Sequence, residues 1–95
     1  MIEEIYDELK KLGAVSSRTR FSRDWLGMEG SYLRGGHRKQ GSARALATCA
    51  ARLRHRARVL GCSDFAQVRV VASRYQTLAD QCVENLLKGA EEQVR

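Results

Sequence analysis

The stretch FSRDWLGMEGSYLRGGHRKQ, residues 21–40, decides how this chain is read. Phe21 and Trp25 stand four apart and Leu26 follows, so in a helix they share one inward face. Ser16 or Ser17 offers an N-cap just upstream, and Gly27 offers the stop. MEGSYL then makes a turn, with Tyr32 and Leu33 as apolar anchors of a second, short helix. Gly35 and Gly36 end that helix early, since each glycine costs a helix about 1 kcal/mol relative to alanine. A helix, a tight glycine turn and a second helix form a helix-turn-helix. A phosphate-cradling loop of the Walker type is excluded, because Gly-Lys-Ser/Thr is missing and no strand precedes the glycines.

The rest of the chain is helical in pattern on both sides. Upstream, Ile2, Ile5, Tyr6, Leu9 and Leu12 recur at three and four residues, and Gly13 closes the segment. Its acids Glu3, Glu4, Asp7 and Glu8 precede Lys10 and Lys11, the order a helix dipole favours. Downstream, Ser42 caps ARALATCAARLRHRARVLG, where Ala43, Leu46, Cys49, Ala50, Leu53, Ala57 and Leu60 make one stripe and Gly61 ends it. The opposite side carries Arg52, His55, Arg56 and Arg58. Ser63 then caps a long last segment in which Val68, Val71, Tyr75, Leu78 and Cys82 follow a 3-4-3-4 spacing. There is no proline, no alternating strand pattern and no internal repeat. The class expected is all-α, with about five helices.

Charge and composition narrow the function. At 95 residues, with 43% hydrophobic and 29% charged side chains, the chain suits one buried core rather than a disordered tail. No apolar run is long enough to span a bilayer, and MIEEIYDELKK lacks the basic start of a signal peptide, so a cytoplasmic, nucleoid-associated protein is expected. Residues 16–59 carry eleven Lys and Arg against Asp24 and Glu29, a net +9 inside a chain of net +6. Ten of those eleven cations are arginine, the side chain suited to bidentate phosphate and guanine contacts. A polyanion is the partner this implies. Cys49, Cys62 and Cys82 form no paired motif, and His37 and His55 sit at no ligand spacing from them, so no metal and no cofactor is expected. No Ser/His/Asp or paired-acid arrangement stands out, and an enzyme is not expected.

With these residues in view, residues 2–60 resemble the phage λ-repressor/Cro-like (XRE-type) helix-turn-helix family. LGMEGSYL is similar to the family's turn, through Leu26, Gly27, Met28, Tyr32 and Leu33. SARALATCAARL is similar to its following helix, through Ser42, Leu46, Cys49, Ala50 and Leu53. His37 stands where the family usually has Glu, and Gly41 where it has proline. The resemblance implies a λ-repressor-like domain with an added C-terminal helix. Carried over by position, it implies base reading by Glu29, Gly30, Ser31 and Arg34 in the major groove. It implies phosphate contacts from Ser17, Arg18 and Thr19 at a helix start, and from Arg38, Lys39 and Gln40 after the second helix.

The organisation expected is therefore a helix-turn-helix domain over residues 1–61 and a C-terminal helix over 62–95. That helix is too long and apolar to stand alone in water. Either it folds back on the domain or it pairs two copies through Val68, Val71, Tyr75, Leu78 and Cys82, and a homodimer over two half-sites is the favoured expectation. The function expected is a small sequence-specific DNA-binding regulator, a repressor in type, on double-stranded DNA. The alternative is a protein-binding helix-turn-helix module, such as a phage or mobile-element inhibitor of the anti-CRISPR type.

Overall fold

The structure is a computed structural model, and it describes residues 2–30, 32 and 43–94. Among these residues there are four α-helices and no strand: α1 (Ile2–Lys11), α2 (Arg18–Asp24), α3 (Ala43–Gly61) and α4 (Ala66–Val94). The chain is all-α. Of the second helix expected after Gly27, only residues up to 30 and Tyr32 are described; its anchor Leu33, the pair Gly35 and Gly36, and the expected cap Ser42 lie outside the described residues.

α1 buries Ile2, Ile5, Tyr6 and Leu9, the stripe its spacing requires. Its end is a Schellman closure: Gly13 N–H donates to Lys10 O at 3.1 Å and Ala14 N–H to Leu9 O at 2.9 Å, with Gly13 at φ +75°. α2 opens at Ser17, whose Oγ accepts the Arg20 N–H at 3.2 Å from an extended backbone (φ −154°, ψ 163°). Of the two serines offered as caps, Ser17 therefore takes the role.

Past α2 the chain folds over the helix end. Trp25 and Leu26 donate to Phe21 O at 3.0 and 3.2 Å, and Met28 donates to Ser22 O at 2.9 Å. Gly27 makes this possible at φ +65°, a conformation L side chains disfavour. A Cβ there would also come within 3.1 Å of Thr48 Cγ2 on α3, so the turn is pressed against the third helix. Phe21, Trp25 and Leu26 are all buried, on the inward face their spacing assigns.

α3 and α4 pack along each other more extensively than any other pair of helices, as an antiparallel hairpin closed by residues 62–65. The second helix of this hairpin starts later than Ser63 suggests. Ser63 Oγ accepts the Phe65 N–H at 3.1 Å, making a turn, and Phe65 O then accepts Val68 and Arg69 N–H at 3.1 and 3.2 Å. Ser63 shapes the loop rather than capping the helix.

The dimer seam expected on α4 is occupied inside one chain. Tyr75, Leu78 and Cys82 are 3%, 6% and 0% exposed, in one core with Leu46, Cys49 and Leu53 of α3 and Trp25 beyond α2. Val71 is half-buried against the same core, and Val68 is half-exposed. Burying one such large apolar side chain stabilises by about 1.5–3 kcal/mol, and α3 offers that cover without a second copy. Among the described side chains of α4, the exposed large hydrophobics are Val70 and Leu87, which stand about 25 Å apart along the helix. The segments 1–61 and 62–95 thus share one hydrophobic core.

Candidate nucleic-acid interface

The three residues expected to hold phosphate at the start of α2 each have a role within the chain. Ser17 gives its hydroxyl oxygen to the Arg20 N–H. Arg18 donates through Nη1 to both carboxylate oxygens of Glu3, at 2.6 Å to Oε2, and its guanidinium lies 4.7 Å over the Tyr6 ring. The hydrogen bond to Glu3 raises the Arg18 pKa further above its ordinary value. Arg18 thereby ties α2 to α1. Thr19 is half-buried under the turn that follows α2.

That turn also places the expected base-reading residues. A Cβ added to Gly30 would meet Thr19 Cγ2 at 2.7 Å and Arg23 Nε at 3.3 Å, so Gly30 faces α2 rather than outward. Close approach explains a glycine here better than base reading does. Glu29 is exposed, and its carbonyl accepts the Tyr32 N–H at 3.0 Å in a short turn that buries Tyr32. Ser31 and Arg34, and the phosphate candidates Arg38, Lys39 and Gln40, lie outside the described residues.

What α2 does present outward is Arg20 and Arg23. Both are exposed, and neither guanidinium has an acidic partner among the described residues. They flank the helix whose end carries the Gly27 turn.

α3 sorts its own arginines by face. Arg52 reaches across to α2, where Nη1 donates to Arg23 O at 2.9 Å and also to Asp24 O. These are carbonyls that the end of α2 would otherwise leave without an intrahelical donor. Arg56 sits 5.6 Å from the Trp25 ring centroid and 6.0 Å from that of Tyr75. The two rings are stacked, with centroids 6.1 Å apart and planes 10° from parallel. Burial raises the Tyr75 pKa, and Arg56 works in the opposite direction. Arg44, Arg54 and Arg58 stand on the outward side, exposed.

Sequence reasoning missed the structural roles of Arg52 and Arg56, and only for Arg56 was a signal present. At 100° per residue Arg56 falls about 60° from Leu53, on the flank of the Leu46–Leu53 stripe, whereas Arg52 and Arg54 lie equally far from Leu53 on its two sides, so helical spacing marks Arg56 but does not tell Arg52 from Arg54. The cleft beside Arg52 and Arg56, about 410 Å³ and lined also by Ala14, Asp24, Trp25, Ala51 and His55, has its two guanidinium groups already engaged.

Cys49 and Cys82 are buried, reduced and in contact across the α3–α4 seam, while Cys62 is exposed. The hydrogen bond with Cys82, and then burial, push the Cys49 thiol well above its ordinary pKa. Both act as small core residues. No group of three or more metal-ligating side chains occurs among the described residues, and none of their helices is long and apolar enough to cross a membrane.

Comparison with curated proteins and with solved structures finds no match. A family model does match, under the description "family of unknown function", over residues 2–95. By that match, which covers nearly the whole sequence, the chain belongs to the family of unknown function DUF6626.

Proposed function

We propose that this chain is a small DNA-binding transcriptional regulator, a repressor in type, that presents a helix-turn-helix to the major groove of a duplex. The observation that carries the reading is the corner after α2. There Phe21, Trp25 and Leu26 are buried, Gly27 turns at φ +65° against α3, and Tyr32 is buried just beyond. The resemblance to λ-repressor/Cro-like domains places the same apolar anchors around the same glycine. Arg20 and Arg23 on the adjoining helix, exposed and without an acidic partner among the described residues, supply backbone contacts in this reading. Arg34 and Ser31 are carried over from the resemblance as base-reading residues, Arg34 as the long donor for a guanine edge. The roles expected of Ser17, Arg18 and Thr19 pass to Arg20 and Arg23, because the former are engaged within the chain.

Selection from a pool of random duplexes at physiological salt tests this reading. The expected result is enrichment of one short sequence, with Arg34→Ala abolishing the preference and leaving weaker, salt-sensitive binding. A pool that emerges without any preferred sequence removes the proposal.

A further inference from the structure

α3 carries five arginines and one histidine over 19 residues and not one acid. Arg52 and Arg56 are engaged with α2, Trp25 and Tyr75. Arg44, Arg54 and Arg58 are exposed, with no acidic partner among the described residues. Together with Ala47 and Ala51 they follow a 3-4-3-4 spacing, which makes one continuous ridge of the helix surface. Arg44 and Arg58 stand about 21 Å apart along it. The two alanines keep the ridge low between the guanidinium groups.

Helix stability alone does not select such a surface. An exposed helix is stabilised by opposite charges at four-residue spacing and destabilised by like charges there. α3 has the like pairs Arg52–Arg56 and Arg54–Arg58 and no acid to offset them. Arg44 stands in the first turn, where the helix dipole disfavours a cation. The other long helix of the same molecule is built differently. α4 mixes Arg69, Arg74 and Lys88 with Asp80 and Glu84, and Gln76 Nε2 donates to Asp80 Oδ1 at 2.9 Å. In α1, Lys11 pairs with Glu8 at 3.6 Å. The single sign is therefore a property of the α3 surface and not of the chain.

We propose that Arg44, Arg54 and Arg58 form a second nucleic-acid contact, a ridge that lies along the phosphodiester backbone of duplex DNA and reads no bases. A duplex presents one negative charge about every 1.7 Å of its axis, so a rigid row of cations meets phosphate in any register. An acidic protein would need carboxylates matched to three fixed positions. Arginine in place of lysine at all three suits the two-pronged contact with phosphate oxygens. The proposal rests on the reading of this chain as a binder of duplex DNA, but it uses none of the helix-turn-helix residues. It gives a single chain the backbone affinity that one helix-turn-helix alone lacks.

Fluorescence-anisotropy titrations of the full chain between 50 and 200 mM salt, on a random duplex and on the selected one, test it. Each phosphate contact contributes about 0.9 to the slope of log affinity against log salt. The combined Arg44→Gln, Arg54→Gln and Arg58→Gln variant is expected to flatten that slope by about 2 to 3 on both duplexes and leave their affinity ratio unchanged. Arg34→Ala is expected to lose the ratio and flatten the slope by no more than about 1. Arg44→Gln alone is expected to raise the melting temperature slightly while weakening binding, a combination that a purely structural role does not give. A triple variant with wild-type circular dichroism and an unchanged slope overturns the ridge and leaves the helix-turn-helix reading standing. A flattened slope in a protein without sequence preference keeps the ridge and removes that reading. No duplex binding by the wild type removes both. Displacement of the duplex by polyglutamate as effectively as by unlabelled DNA of equal charge reassigns the ridge to an acidic protein and overturns the proposal.

Discussion

Neighbouring arginines in this chain meet quite different surroundings. Arg18 is held by Glu3 and Tyr6, whereas Arg20, two residues on, is exposed without an acidic partner among the described residues. Along α3 the alternation is regular: Arg52 and Arg56 turn toward α2 and the Trp25–Tyr75 stack, while Arg54 and Arg58 turn away. One turn of helix separates the members of each pair, so each pair shares a face and a fate. The difference is measurable by chemical denaturation. Arg52→Ala leaves the Arg23 and Asp24 carbonyls to solvent and is expected to lower stability by about 1 kcal/mol. Arg54→Ala, made on the same helix with the same loss of charge, is expected to stay within about 0.5 kcal/mol of wild type. The sequence reading placed Arg18 at a phosphate and put Arg52, Arg56 and Arg58 together on the side of α3 opposite its apolar stripe. It could not separate them, because the partners of Arg52 lie 28 and 29 residues earlier in the chain.

At the scale of elements, apolar spacing placed α1, α2, α3 and α4 and chose the inward face of each. Boundaries followed where local chemistry was decisive. Ser17 caps α2 and Gly27 turns after it, both by contacts within a few residues. The start of α4 was misjudged because a serine hydroxyl serves a loop as readily as a helix. Ser63 holds Phe65 N–H, and the helix begins at Ala66. The seam between α3 and α4 makes a further prediction. Cys49 and Cys82 are sealed in it, and the Cys49 thiol is pushed up by its hydrogen bond with Cys82 and by burial. A thiol-specific chromogenic reagent near neutral pH is therefore expected to titrate Cys62 alone in the native protein, and all three of the chain's cysteines once it is denatured. Rapid native reaction of a second thiol would mean that α3 and α4 separate more readily than a close-packed seam allows.

For the whole molecule, the question left open by the sequence was what covers the apolar stripe of α4. Tyr75, Leu78 and Cys82 are covered by α3 and by Trp25 of the same chain, while Val68 and Val71 of the same stripe stay half-exposed. Light scattering is accordingly expected to give the 10.7 kDa of one chain across a broad concentration range. A mass of two chains would place the contact on the half-exposed Val68–Val71 part of the stripe or on another surface. The sequence by itself determined the helical class, the inward face of each helix, the Gly27 corner and the positive middle of the chain. Those follow from the period of apolar side chains, from backbone preferences and from counting charge, all of which are local. Only the tertiary structure decided that α4 folds back, that Gly30 faces α2, and that Arg18, Arg52 and Arg56 are engaged within the chain. An apolar stripe states that it must be buried but not against what, and a guanidinium finds its carboxylate, carbonyl or ring only after distant helices have packed.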